Sequence, residues 1–591
     1  MVTYADKPWL KQYDAGVPHS LTPYPDHGVH EFLRQAAKQF PGKPALITTA
    51  RLPLVGHQAQ HLTFAELDVQ SDALAAALID MGLKRGDRVA LVLPNVVAFA
   101  VGLFGTLKAG GVVAATNPSY PQDKMQFQVN DCEAEFVITI TLFYRLIKQL
   151  QSQTRVKTVL VANVKEYLHP LARTLFTLAR EKKDGHALDT LADGDHWLKD
   201  VLARYAGRKP DVQVRSDDVA IFQYTGGTTG VSKGAMGQHK ALVANVMMLR
   251  AWTNVTDPVL GKIDPAQYLF LGALPMFHAF GLIVVLLQAI SVGATVLLLP
   301  NPRDVDMIVD VIDVYKPGVF LGVPAMFNAV NNHPRVKSGA VTMQSVHIAS
   351  SGAAPLPPAT KREFESHGAR RLYEGFGMSE APTASIANPL LGENRPGSIG
   401  LPLPDVEAKI VSLDDGVTEV PVGDIGELVM AGPNTMMGYF KMPTETANVL
   451  RQHDGKTWLS TGDIARMDND GFFYIVDRKK DMALIGGFNV YPTNIEKVIK
   501  DHPAVLEVGV AAVPHTEKQG QEMLKAWIVV KPGMSVTEQD LINLCSTHLA
   551  PYEVPRRIAF IRELPKTMVG KTLRRELVQL ELTEREQELQ S

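Results

Sequence analysis

The sequence predicts an α/β protein: a large amino-terminal domain of parallel α/β sheets (residues 1–479), with a β-rich subdomain at about 401–476, and a small carboxy-terminal α+β domain (residues 480–591). Three observations carry this. Apolar strand-like runs alternate with helix-length segments through the first 480 residues, which is the pattern of βαβ units and parallel sheets. From about 401 to 475 the pattern changes to short strands and turns. Five consecutive charged residues, Asp477-Arg478-Lys479-Lys480-Asp481, then follow an apolar strand at 472–476. The 591 residues also exceed the ~100–200 typical of one domain.

Residues 88–94 (RVALVLP) read as a strand, 96–109 as a helix and 111–115 as the next strand. Segments 158–161, 220–222, 268–274, 319–321 and 346–348 repeat the strand signal. Segment 281–299 is nearly continuous apolar sequence, long enough to span a bilayer. Gln288, Ser291 and Thr295 punctuate it and Gly293-Ala294 interrupts it, so a core helix, a turn and a core strand at 294–299 are expected instead. Beyond the charged run come a helix at 494–501, strands at 505–513 and 525–530, and a helix at 538–549. Between 165 and 183, Leu168, Leu171, Leu175, Phe176 and Leu178 share one helical face, with Lys165, Arg173, Arg180, Lys182 and Lys183 mostly around it. Such a helix suits an anionic membrane surface, with an ordinary surface helix as the alternative and Pro170 limiting its start.

A composition of 46% hydrophobic and 20% charged residues suits a soluble protein with a large core. A net charge of −3 gives no electrostatic case for a nucleic-acid partner. Two cysteines, Cys132 and Cys545, are too few for a disulfide scaffold or a cysteine metal site, and suit a reducing compartment. The first 25 residues lack the apolar core of a signal peptide.

The most informative stretch is Tyr224-Thr225-Gly226-Gly227-Thr228-Thr229-Gly230-Val231-Ser232-Lys233-Gly234, set between an apolar strand and a helical pattern. Glycines let the backbone close on an anion, main-chain N–H groups form a nest for phosphate oxygens, and the hydroxyls and Lys233 add donors and charge. A Walker-type loop is excluded, because Gly570-Lys571-Thr572 and Gly455-Lys456-Thr457 have Pro565 and Leu450 where the earlier glycine is needed. The tract Gly230-Val231-Ser232-Lys233-Gly234 also matches the nucleophile elbow of serine hydrolases, which leaves Ser232 as a rival reading.

The loop resembles the phosphate-binding signature of the adenylate-forming superfamily, which includes acyl-CoA synthetases, luciferases and peptide-synthetase adenylation domains. The likeness runs in order from about Leu62 to Leu577, and bacterial long-chain fatty acyl-CoA ligases are the most similar branch. The resemblance implies ATP and Mg²⁺, with coenzyme A as co-substrate and a fatty acid as the group activated. It implies phosphate contacts from Thr225, Gly226, Gly227, Thr228, Thr229, Gly230 and Lys233. Pro275-Met276-Phe277-His278 resembles the segment lining the carboxylate pocket, with His278 near the acyl group. Ser351-Gly352-Ala353-Ala354 resembles the loop bordering adenine. In Glu374-Gly375-Phe376-Gly377-Met378-Ser379-Glu380, Phe376 is implied to stack on the base, and Glu380, with Thr225, to serve the metal. The family more often has Tyr at the Phe376 position and Thr at the Ser379 position.

By the same resemblance Asp463 takes the ribose hydroxyls, Arg478 reaches the nucleotide, and Lys480 is the hinge about which the small domain moves. Gly486, Gly487 and Phe488 form the thioester loop, and Lys571 in Leu564-Pro565-Lys566-Thr567-Met568-Val569-Gly570-Lys571 is the catalytic lysine. Lys571, Lys233, Glu380 and His278 are thus the catalytic candidates. A cytoplasmic location follows, on the inner membrane face if segment 165–183 touches lipid, and a homodimer stays open. Medium-chain-acyl- and aryl-CoA ligases, and an inactive acyl-binding homologue, remain the alternatives.

Overall fold

The computed structural model describes residues 2–52, 54–225, 232–257, 261–485, 488–515, 522–566 and 572–590. Two large sheets carry most of it. In the first, strands His196–Trp197, Thr158–Ala162, Phe136–Ile140, Arg88–Val92, Val112–Thr116, Val219–Tyr224 and Gly234–Gln238 lie in that order. All neighbours are parallel except the last pair. Val112–Thr116 and Phe136–Ile140 are buried at every residue, as parallel strands covered on both faces must be.

The second sheet places Leu269–Gly272 and Thr295–Leu298 near its centre, with Val319–Gly322, Ile348–Ser351 and Leu372–Met378 following in parallel. Antiparallel strands Ala381–Ala387 and Leu401–Pro402 close one end, and at the other Pro44–Leu52 pairs in parallel with Thr295–Leu298 and antiparallel with the edge strand Gly56–Thr63. A third, antiparallel sheet contains Glu407–Val411, Gly426–Ala431, Leu450–His453, Lys456–Met467 and Phe473–Arg478. The last hundred residues pack helices Pro492–Lys500 and Glu538–His548 on a three-stranded sheet around Ile495, Ile499, Val510, Leu524, Leu541 and Cys545. Helix Arg574–Gln590 is held there by buried Leu577 and by a short ion pair between the buried side chains of Lys525 and Glu581.

Segment 281–299 folds as a π-helical turn Phe280–Leu287 that continues as Gln288–Ser291, then a turn, then strand Thr295–Leu298, nearly all of it buried. Among the described residues no helix is long and apolar enough to cross a membrane.

Three readings are corrected. The strand expected at 346–348 lies at Ile348–Ser351, and the one at 268–274 is only Leu269–Gly272. The helix expected over 165–183 covers only Pro170–Ala179, after a separate 3-10 turn Val164–Tyr167. Proline tolerates the first helical position, and the His169 ring accepts from the Leu171 N–H, so the chain breaks there.

Candidate active site

Strand Val219–Tyr224 turns back on Gly234–Gln238, so the glycine-rich stretch is the connection of an antiparallel pair. Its neck is closed by the Thr225 N–H donating to the Lys233 carbonyl (3.0 Å) and by the Ser232 hydroxyl donating to the Thr225 carbonyl (2.7 Å). Ser232 therefore ties the neck to Thr225. Gly226, Gly227, Thr228, Thr229 and Gly230 lie outside the described residues, as do Gly486, Gly487 and Lys571. Lys233 Nζ stands over the Tyr439 ring, 5.1 Å from its centre.

Glu380 follows strand Leu372–Met378. Its carbonyl accepts from the Met436 N–H (2.8 Å), and its Oε1 accepts from the Tyr439 hydroxyl (2.7 Å). Burial raises the Glu380 carboxyl above its usual range, opposed by the Tyr439 hydrogen bond. Arg478 and Asp463 also act on Glu380 electrostatically, and they pair with each other, Arg478 Nε to Asp463 Oδ1, at 3.0 Å. This pairing is a product of register, because Asp463 and Arg478 face each other across adjacent antiparallel strands. The Thr461 hydroxyl accepts from the Asp463 N–H (3.1 Å). Lys233, Glu380, Asp463 and Arg478, separate in sequence, thus share one neighbourhood.

Among the described residues no three His, Cys, Asp or Glu side chains converge to hold a metal unaided. A single carboxylate with one oxygen already satisfied suits Mg²⁺, which binds through one or two carboxylates and fills its shell with phosphate oxygens and water.

The motif strand depends on one close approach. A Cβ on Gly377 would lie 1.3 Å from the Thr383 carbonyl oxygen of the neighbouring strand, so only glycine fits. Gly375 and Phe376 pair with Ala387 and Ile386, which fixes Phe376 half-buried beside Met378 and Ser379. Asn245 on helix His239–Thr253 braces the partner strand, accepting from the Thr383 N–H (2.9 Å) and donating to the Ala384 carbonyl (2.6 Å). Glu374 is buried, its Oε1 accepts from the Leu356 N–H (3.3 Å), and burial pushes its carboxyl up to about 8. Beside it, the Gly352 N–H donates to the Gly322 carbonyl (3.2 Å), and Ala353 is held at φ 68°, an uncommon conformation for a residue with a side chain. Ala354 follows, half-buried.

His278 opens the π-helical turn, and its Nδ1 accepts from the Phe280 N–H (3.3 Å). Burial brings the imidazole down to about 4, so it is neutral near pH 7. The Phe280 ring lies against Gly352, which joins this segment to the small-residue loop. Buried Asn95 shapes the approach to His278, donating to the Gly272 and Leu274 carbonyls (3.0 and 2.8 Å) and accepting from the Met276 N–H (2.8 Å). In the small unit Phe488 is exposed and stacks on Tyr552 with ring centres 4.4 Å apart. Lys480 is exposed in the turn after strand Phe473–Arg478. Close to it, Arg574 reaches Asp477 (3.2 Å), Asp481 (3.1 Å), Thr493 (2.9 Å) and Glu496 (2.8 Å).

Tyr439, Asn95, Asn245, Tyr552 and Arg574 escaped the sequence reading. The glycine before Tyr439 and the charged run that includes Asp477 and Asp481, two partners of Arg574, were the local signals.

The profile of the AMP-binding enzyme family matches residues 33–440, and that of the AMP-binding enzyme C-terminal domain matches residues 494–571. The chain is 36% identical to a long-chain-fatty-acid–CoA ligase of Bacillus subtilis over 98% of each chain. It is similar to the ATP-bound structure of MatB from Rhodopseudomonas palustris, with a TM-score of 0.78, 28% identity, and 94% of this chain and 99% of that one covered. It also matches a Mycobacterium tuberculosis fatty acyl CoA synthetase, with a TM-score of 0.67, 26% identity, and 94% and 98% coverage.

Proposed function

The chain belongs to the AMP-binding enzyme family, and from that premise we propose that it is a long-chain fatty acid–CoA ligase. ATP and a fatty acid give the acyl-adenylate and pyrophosphate, and the coenzyme A thiol then gives acyl-CoA and AMP. The observation that carries the substrate class is full-length similarity, at 36% identity, to a ligase named for long-chain fatty acids.

A carboxylate is a poor electrophile for a thiol, so the first step must create a leaving group. The fatty carboxylate attacks the α-phosphorus of ATP and pyrophosphate departs, with charge growing on phosphate oxygens. Fixed donors and cations directed at those oxygens stabilise that change. Thr225 to Thr229, Gly230 and Lys233 take the β and γ phosphates. Glu380, with the Thr225 hydroxyl, holds Mg²⁺, which supplies further positive charge to the phosphates. Phe376 stacks on adenine, with Gly352, Ala353 and Ala354 along its edge and Glu374 to Ser379 forming the wall. Asp463 accepts from the ribose hydroxyls with Arg478 beside it. Neutral His278 borders the acyl carboxylate without adding a charge that would compete for it, and Lys571 bridges that carboxylate and the α-phosphate.

The chain divides at 479/480. The small domain turns about Lys480 between the steps, withdrawing Lys571 and bringing in Gly486, Gly487 and Phe488 for thioester formation. Helix Pro170–Ala179, which exposes Leu171, Leu175 and Leu178 among exposed Arg173, Arg180, Lys182 and Lys183, rests on the anionic inner face of the membrane of a cytoplasmic enzyme.

The test is pyrophosphate release with ATP and Mg²⁺ across acids of increasing length, with and without coenzyme A. Turnover that rises with long acids, giving AMP and acyl-CoA, is expected. Reaction with aryl acids and no fatty acid would overturn the substrate class. Silence with every acid would overturn the activity. Sedimentation with anionic but not zwitterionic vesicles, lost in Leu175→Glu/Leu178→Glu, tests the membrane contact.

A further inference from the structure

The segment 436–440 is fastened between Glu380 and the strand that follows Lys233. The Met436 N–H donates to the Glu380 carbonyl (2.8 Å), the Met437 N–H to the Met236 carbonyl (2.9 Å) and the Phe440 N–H to the Gly234 carbonyl (2.9 Å). In return the Gly438 carbonyl accepts from the Met236 N–H (2.9 Å), and the Tyr439 N–H donates to the Thr446 hydroxyl (2.9 Å). Tyr439 is 7% exposed, so its ring is held as firmly as its backbone.

This one side chain meets two opposite charges by different parts. Its hydroxyl donates to Glu380 Oε1 (2.7 Å), and its ring lies beneath Lys233 Nζ at 5.1 Å. Hydrogen bonding at the ring's edge and cation attraction at its face do not compete. Without such a spacer a lysine and a glutamate in an enclosed site attract strongly. A direct pair between them would compete with the metal for the carboxylate and with the phosphates for the ammonium.

We propose that Tyr439 is a positioning residue of the nucleotide site: its hydroxyl fixes one oxygen of Glu380 so that the other faces the nucleotide's cation, and its ring keeps Lys233 beside that carboxylate but apart from it. This rests on the roles of Glu380 and Lys233 given under the proposed function. Arg478 and Asp463 complete the charged surroundings of Glu380 and are engaged with each other.

The experiment is calorimetric binding of α,β-methylene-ATP to the full chain, with and without Mg²⁺. In the unmodified protein Mg²⁺ should strengthen binding. In Tyr439→Phe, which keeps the ring, binding without Mg²⁺ should be unchanged while the gain from Mg²⁺ shrinks about tenfold, as for loss of one hydrogen bond to a charged group. Tyr439→Leu should also weaken binding without Mg²⁺, by roughly threefold, as Lys233 loses its platform. In a Glu380→Gln background Tyr439→Phe should change nothing further.

An unchanged Mg²⁺ gain in Tyr439→Phe, or an equal loss with and without Mg²⁺, would overturn the role of Tyr439 alone. Nucleotide binding that is indifferent to Mg²⁺ in the unmodified protein would overturn the reading of Glu380 as well. Melting of each variant without nucleotide separates these outcomes from misfolding.

Discussion

Glu374 sits where an ionised carboxylate is disfavoured. Burial raises its pKa from the ordinary 4.5 to about 8, so the folded protein keeps a proton that the unfolded chain releases. Its contribution to stability is therefore fully present below about pH 4.5 and is lost as pH rises through about 8. Glu374→Gln, uncharged at every pH, should remove that fall, so the Tm difference between variant and parent should grow from pH 5 to pH 9. Parallel Tm curves would show that the carboxyl is ionised in the fold. Lys571→Ala makes a second prediction at this scale. Acyl-adenylate formation should drop by two orders of magnitude or more, as for loss of a group acting on developing charge. Thioester formation from preformed acyl-adenylate should persist, and rapid-quench measurement of the two half-reactions separates them. Equal loss of both would remove Lys571 from its assigned step.

Among elements, the π-helical turn Phe280–Leu287 is the least ordinary. A Cβ on Gly281 would lie 2.2 Å from the Pro275 carbonyl oxygen, so the turn and the Pro275-to-His278 segment pack backbone against backbone. Gly281→Ala must separate them and should destabilise the protein by about 1–3 kcal/mol, the usual range for overpacking a core, lowering Tm. It should also raise the KM for the fatty acid, since His278 moves with the turn. An unaltered Tm would mean that the contact relaxes cheaply.

The α/β alternation was legible in the sequence because it is local: neighbouring residues state a period. What escaped is held by tertiary register. Tyr439 meets Glu380 from 59 residues away, and Asn95 fixes the turn before His278 from more than 170 residues away. No local pattern encodes such a meeting. The helix read within 165–183 does start at Pro170, the residue expected to limit it, and ends at Ala179, before the basic residues Arg180, Lys182 and Lys183.

For the whole molecule the proposed division at 479/480 makes Lys480 decisive. Proline there fixes φ near −65° and removes the backbone freedom a rotation needs. Lys480→Pro should keep acyl-adenylate formation within about tenfold of the parent, or lose it, according to which orientation is frozen, but should not support both half-reactions. Normal turnover through acyl-CoA would exclude the hinge.

The Arg574 cluster has a consequence for biosynthesis. Asp477, Asp481 and Glu496 are made long before the guanidinium that answers them, 97 residues after Asp477. While the nascent chain ends short of residue 574, three carboxylates crowd a place that lacks its cation, and leaving buried charge unpaired costs about 3–5 kcal/mol. The amino-terminal sheets can close as they leave the ribosome. The last hundred residues cannot settle until translation is nearly over, so a ribosome stalled ahead of codon 574 should hold a carboxy-terminal unit that proteases still cut, above sheets that already resist them.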